Sequence, residues 1–245
     1  MAGPTTTELL WGVPQPPRRG PKPSLTLERI VAEAIALADT EGPANLAMAR
    51  LAERLGCAKM ALYRYVPGKS ELTALMLDAA LGPAPEPVTL DATAAEPWRA
   101  YLTSWTETAF ERYRAHPWAL ELTPGVRPMG PNEMSWLETA LTALAGTALT
   151  GPERLDSVVL LLGHVRSLVQ QVGTGIDDDN LEAELAREIG PILAAHADRY
   201  PHTVAAFTEQ SGRGPGEPDA ARNNALHFGV DRILDGLSAY IAAAR

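Results

Sequence analysis

Lys59, Met60, Tyr63 and Arg64 lie three and four residues apart, so a short helix beginning near Ala58 carries them on one side and turns Leu62 and Val66 to the other. Ammonium and guanidinium groups in that arrangement neutralise phosphates and bond to base edges, and Tyr63 can meet either a phosphate or a thymine methyl. Arg50, Tyr65 and Lys69 flank this helix, and Arg18, Arg19 and Lys22 stand upstream in Arg18-Arg19-Gly20-Pro21-Lys22-Pro23, a basic run with no acid in it. These ten residues are the candidate DNA contacts. Bond-making chemistry finds no comparable constellation. Gly-x-Ser-x-Gly, His-Glu-x-x-His and the dinucleotide fingerprint are missing, and none of the histidines at 116, 164, 196, 202 and 227 has a plausible partner by local spacing. We therefore expect no enzyme, no cofactor and no metal.

Such a reading helix needs a brace, and the neighbouring residues supply it. Met48, Leu51, Ala52 and Leu55 form one apolar stripe, and Gly56 follows at once as the residue best able to stop a helix in the left-handed conformation. Small Ala52 lets the two helices cross closely. Upstream, Ile30, Ala34, Leu37 and Ala38 mark an amphipathic helix from about Thr26 to Glu41, ended by Gly42-Pro43; downstream, Pro67-Gly68 precedes a fourth helix over Ser70 to Leu81. The pattern is a helix-turn-helix whose second helix fits a major groove about 12 Å wide. An ordinary helical hairpin with a Leu-Gly turn is the competing reading. Charge distribution favours DNA. The chain of 245 residues has a net charge of -9, yet residues 18 to 70 hold nine Lys and Arg against five acids, while residues from 83 onward hold twelve against twenty-two. Only the contacting face has to neutralise the nucleic-acid backbone.

Ile30 to Gly42, then Leu51-Ala52-x-x-Leu55-Gly56 and Leu62-Tyr63-Arg64-Tyr65-Val66-x-x-Lys69-x-x-Leu72, resembles the N-terminal domain of the tetracycline-repressor (TetR) family of bacterial regulators. The resemblance covers roughly residues 19 to 81. Two positions depart from it. Ala47 stands where the family usually has Ser or Thr capping a helix, and Ala58 where it often has a polar residue; Asn45 is a candidate substitute for the first cap.

Beyond Leu81 the reading is all-α: a three-helix helix-turn-helix domain at the N-terminus and a larger helical regulatory and dimerisation domain. The divisions are a flexible basic arm (1–23), the DNA-binding domain (24–82), a Pro-rich linker (83–97) and a ligand-binding and dimerisation domain (98–245). Segments 98–115, 118–122, 133–147, 155–173 and 219–244 show the helical period and none alternates as a strand would. The segment 155–173 is apolar on two sides. One side holds Leu155, Val158, Leu162, Val165 and Val169, and the other holds Leu161, His164 and Leu168. A helix of that kind is covered twice. The first side, with Leu226, Val230, Ile233, Leu237 and Ile241 of the last helix, is the candidate dimer seam of a four-helix bundle. The resemblance implies the same, since family members dimerise through their last long helices; an intramolecular core is the alternative.

Tyr101, Trp105, Phe110, Met134, Leu137, Leu161, His164 and Leu168 are the candidate lining of an apolar ligand site, facing a segment whose mid-helix ionisable groups are His164 and Arg166. Dry core is the competing reading for all eight. Asp177-Asp178-Asp179 is read as the capped start of a solvated helix, and the Gly-rich run 211–218 as a surface loop. Single Cys57 excludes an intramolecular disulfide, and no apolar run is long enough for a membrane span. Together these expectations describe a cytoplasmic homodimer on a palindromic double-stranded operator, released as a repressor by a small hydrophobic effector. Two other readings stay open: a helical ligand-binding protein or enzyme with a degenerate helix-turn-helix, and a DNA binder without an effector.

Overall fold

The computed structural model describes residues 3–12, 25–86, 96–172, 178–211 and 225–244. Among these residues the chain forms twelve α-helices, one short 3-10 turn and no strand. Those of the N-terminal half are α1 (Thr6–Trp11), α2 (Leu27–Glu41), α3 (Met48–Arg54), α4 (Lys59–Tyr63) and α5 (Lys69–Leu81). The remainder are α6 (Pro97–Ala115), α7 (Ala119–Leu122), α8 (Pro131–Leu144), α9 (Gly151–Val172), α10 (Asp178–Ala195), α11 (Pro201–Ser211) and α12 (Ala225–Ala243). No helix among the described residues is long and apolar enough to cross a membrane.

The N-terminal half follows its hydrophobic pattern closely. Ile30, Ala34 and Leu37 of α2 are buried against Leu51 of α3, Leu62 of α4 and Leu72 of α5, and Val66 closes the centre. Thr26 caps α2 by accepting from Arg29 N at 3.2 Å. Gly56 sits at φ 65°, the conformation that turns α3 into α4. Neither α3 nor α4 has a side-chain cap. Asn45 does not substitute: held in the 3-10 turn, it donates its amide to Glu41 O at the end of α2. These two short helices are held by packing rather than by their own ends.

One expectation is corrected at the N-terminus. Residues 6–11 do not trail as part of a flexible arm. Thr5 and Glu8 form a reciprocal capping box, Leu10 is buried, and the Trp11 indole donates to Met129 O at 3.1 Å. The signal is present in the sequence as Thr5-x-x-Glu8 before Leu9-Leu10-Trp11. Arg18, Arg19 and Lys22, the acidic Asp177, the run 212–218 and the first residues assigned to the last helix lie outside the described residues.

In the larger half α6 is central, packing on α8, α9 and α12, with Leu102, Trp105, Thr106 and Ala109 fully or almost fully buried. Of the polar links that join the two halves, three carry much of the contact. The Asp39 carboxylate accepts from the Trp118 indole at 2.6 Å and lies 2.9 Å from His116 Nδ1. Asp78, buried at the end of α5, accepts from Glu133 N at 3.0 Å and from the Asn132 amide at 3.1 Å. Gly130 makes room for this second link, since its missing Cβ would fall on the Asp78 carboxylate. Burial, opposed by these hydrogen bonds, holds the Asp78 carboxyl above the usual carboxylate range. The third link is Trp11 to Met129.

Candidate functional site

On the outer side of α4, Lys59, Met60 and Arg64 are exposed, Met60 to 73%. The Lys59 ammonium rests 5.8 Å from the centre of the Tyr63 ring, which is half-buried. Lys69, at the start of α5, is exposed as well. Lys59, Arg64 and Lys69 have no carboxylate partner among the described residues, so their charge is available to a phosphate or base edge. Two of the candidate contacts are committed elsewhere. Arg50 reaches back to Glu41 at 2.6 Å, and that bond holds its guanidinium pKa above the ordinary value. Tyr65 packs against the core. Arg50 stands exposed on α3, and Tyr65 lies in the turn that follows α4.

Between α6, α8 and α9 lies a cavity of about 280 Å³. Trp105, Ala109 and Tyr113 line it from α6, at i, i+4 and i+8; Trp136 and Leu137 line it from α8; Val158, Leu162 and Arg166 line it from α9 at the same spacing. Leu81, the last residue of α5, forms part of the same wall. Exposed Leu155, Val159 and Met129 stand at its opening.

Its polar groups are few. Trp105 donates its indole N–H to Trp136 O at 3.1 Å, and Trp136 donates to Gly82 O at 2.9 Å, so both indoles offer the cavity carbon surface only. The two rings meet edge to face with centres 5.3 Å apart. Glu133 is held by a two-pronged pair with Arg127. Arg166 lies over the Tyr113 ring, 5.7 Å from its centre, and one of its nitrogens donates to the Tyr113 hydroxyl at 3.3 Å.

Of the eight residues expected to line a ligand site, Trp105 and Leu137 do so. Tyr101 is buried and donates to Pro85 O at 2.8 Å. Phe110 is buried outside the cavity, with Arg114 across its ring. Met134 is exposed on the outside of α8. Leu161 is fully buried, Leu168 half-buried, and neither reaches the cavity. His164 faces α12: its Nε2 lies 3.2 Å from Leu226 O, and the ring occupies the space that a side chain at Gly229 would fill.

The faces of α9 are thus exchanged relative to the expected ones. Leu155, Val158 and Leu162, expected at a dimer seam, line the cavity. Val165, Val169, Leu226, Val230 and Ile241 are buried within the single chain, where packing between α6, α9 and α12 has used them. Ile233 and Leu237, half-buried, reach a groove between α9 and α12 alongside Leu160, Gly236 and Tyr240. Leu160 and Tyr240 of that groove are exposed, and exposed Phe228 has the groove's Arg232 across its ring. Among the described residues no group of three His, Cys, Asp or Glu is placed to hold a metal ion.

Comparison with known proteins places both halves. The family model described as bacterial regulatory proteins, tetR family, matches residues 30–76, and the tetracyclin repressor-like C-terminal domain matches residues 92–241. The chain is 38% identical over 250 residues to the HTH-type transcriptional repressor DrrR1 of Streptomyces coeruleorubidus, covering 98% of this chain and 87% of that one. Its fold is similar to apo ActR of Streptomyces coelicolor, at a TM-score of 0.71 and 21% identity over 92% of this chain and 100% of the other. A second ActR structure, in complex with actinorhodin, aligns at a TM-score of 0.68 and 23% identity over 90% and 99%. An outward-facing basic helix-turn-helix and a helical domain matched along its length agree on one assignment: the chain belongs to the tetracycline-repressor family of DNA-binding transcriptional regulators.

Proposed function

We propose that the protein is a cytoplasmic, homodimeric repressor that leaves a palindromic operator when a small apolar molecule enters the cavity between α6, α8 and α9. One observation carries the reading. Leu81 belongs to α5, which packs on α2 in the DNA-binding half, and it also lines the cavity. A molecule that displaces Leu81 therefore acts on the helix that braces the reading head. It shifts the equilibrium only by binding the released arrangement more tightly than the DNA-bound one. ActR, of similar fold, has been solved in complex with actinorhodin, which supports the reading of a regulator that takes a small molecule.

In this reading Lys59 and Arg64 face bases and phosphates, Lys69 meets a phosphate, and Arg18, Arg19 and Lys22 add charge from the segment before α2. The dimer forms on the groove between α9 and α12, with Leu160, Phe228 and Tyr240 facing the second copy. Two reading heads then enter major grooves roughly 34–36 Å apart on a palindrome.

Selection from random duplex oligonucleotides tests this directly. A palindromic consensus is expected, and the full chain binds it as a dimer. Leu160→Glu places a charge on the groove; sedimentation is expected to show monomer, with operator affinity lost. Recovery of no palindrome, or a stable monomer of the unaltered chain, would overturn the reading.

A further inference from the structure

Arg166 is the group in the cavity whose bonding capacity is least used. Its guanidinium has five N–H donors. Nη2 donates to the Tyr113 hydroxyl, and no carboxylate lies within ion-pair distance of Arg166 among the described residues. A guanidinium partly withdrawn from water without a counter-charge costs free energy that an anionic ligand recovers. Glu133, the cavity's acid, cannot serve, because Arg127 holds both of its oxygens. That pairing also cancels the negative charge that would otherwise repel an anion. The remaining walls are aromatic and aliphatic carbon: Trp105, Trp136, Tyr113, Leu137 and Val158.

Along α9, Val159 at the opening and Arg166 are seven residues apart, close to two turns or about 10 Å. A ligand whose acidic group meets Arg166 therefore lays its skeleton across the Trp105 and Trp136 rings with its other end near the opening. We propose that the cavity takes an aromatic anion, its carbon skeleton against the edge-to-face pair Trp105 and Trp136 and its acidic oxygens on the Arg166 guanidinium. The guanidinium fork matches two oxygens of a carboxylate, and a charge-assisted bond of this kind is roughly twice as strong as a neutral one. The inference rests on the reading of this cavity as the effector site, and it adds the sign of the effector's charge and the residue that selects it.

Three probes on one ring system test it by calorimetric titration of the full chain: 2-naphthoate, its isostere 2-naphthamide and the cation 2-naphthylmethylammonium. The unaltered protein is expected to bind the carboxylate at least about tenfold more tightly than the amide, and the amide more tightly than the ammonium. Arg166→Gln should bring the carboxylate down to the affinity of the amide while leaving the amide within about twofold. Arg166→Lys, which keeps the charge and loses the fork, should restore part of the preference. The proposal is overturned if amide or ammonium binds the unaltered protein as tightly as the carboxylate, if none of the three binds, or if Arg166→Gln with native circular dichroism keeps the full preference. The effector reading is judged separately by operator affinity. Carboxylate that binds through Arg166 without changing that affinity keeps the anion site and sinks the effector reading; carboxylate and amide that bind equally and release DNA equally do the reverse.

Discussion

The reading head and the cavity use their helices in opposite senses. On α4 and its C-cap the residues proposed to meet DNA point outward and those that fold point inward, so Leu62 holds the helix while Lys59, Met60 and Arg64 are exposed. Around the cavity the same side chains do both. Trp105 and Trp136 support the core with their rings and bonds to backbone carbonyls, and they are also walls of the cavity proposed to take a ligand. Substitution can therefore silence DNA binding without disturbing the fold, whereas any large change in the cavity is also a change in stability.

Trp105→Ala is the most severe test of that difference. Trp105 is fully buried, and its removal is expected to cost about 3–5 kcal/mol and to take away one of the donors to Trp136 O, which keeps the Thr139 hydroxyl. Thermal unfolding measures the loss; operator affinity, read well below the new transition, should be unchanged. Replacing Lys59 and Arg64 together by Ala gives the mirror image. Operator binding, followed by anisotropy at fixed salt, should weaken about 100-fold, because a base or phosphate contact of this kind contributes about 1–3 kcal/mol. The melting temperature should stay within about a degree. A double variant that melts as early as the Trp105 variant would erase the distinction.

Gly229→Ala probes a packed region that faces neither DNA nor the cavity. The new methyl group meets the His164 ring, and overpacking of this kind costs about 1–3 kcal/mol. Denaturant unfolding should show the loss, with little change in ligand preference. The smallest effect is one of pH. Because the folded pKa of Asp78 is raised, its contribution to stability is fully present below the usual carboxylate pKa and is lost as pH rises through the elevated value. Subtracting the stability curve of Asp78→Asn from that of the unaltered protein should leave a decline in this direction. A difference that grows with pH would mean that the bonds from Glu133 and Asn132 outweigh burial.

The same opposition explains what the sequence discloses. The helix-turn-helix is legible because its two faces differ chemically, with cations outside and Leu51, Leu62 and Val66 inside. The two apolar faces of α9 do not differ in that way, and their period alone says nothing of which neighbour covers which. His164 and Arg166, two residues apart, point about 200° away from each other on a helix. Both stand out as ionisable groups on an apolar segment, but only the packed structure turns Arg166 to the cavity and His164 to α12. Tyr113 was within reach of pattern reading, since it continues the stripe of Trp105 and Ala109 by one more turn. Met129 was not. It lies in a loop without periodicity, and only its contact with Trp11 and the cavity reveals its place.

That contact between Trp11 and Met129 closes a span of 118 residues. Loop closure costs entropy that rises only slowly with length, but the cost is recovered here only after α5 and α8 have docked on each other. Helix α1 is short, and its apolar hold consists of buried Leu10, half-buried Leu9 and the exposed Trp11 ring. It is therefore expected to open locally while the core stays intact, releasing the loop at Met129 beside the cavity. In amide exchange this would register as rapid loss of protection at Leu9 and Leu10 against slow exchange in α6, the signature of a local opening beside the cavity mouth.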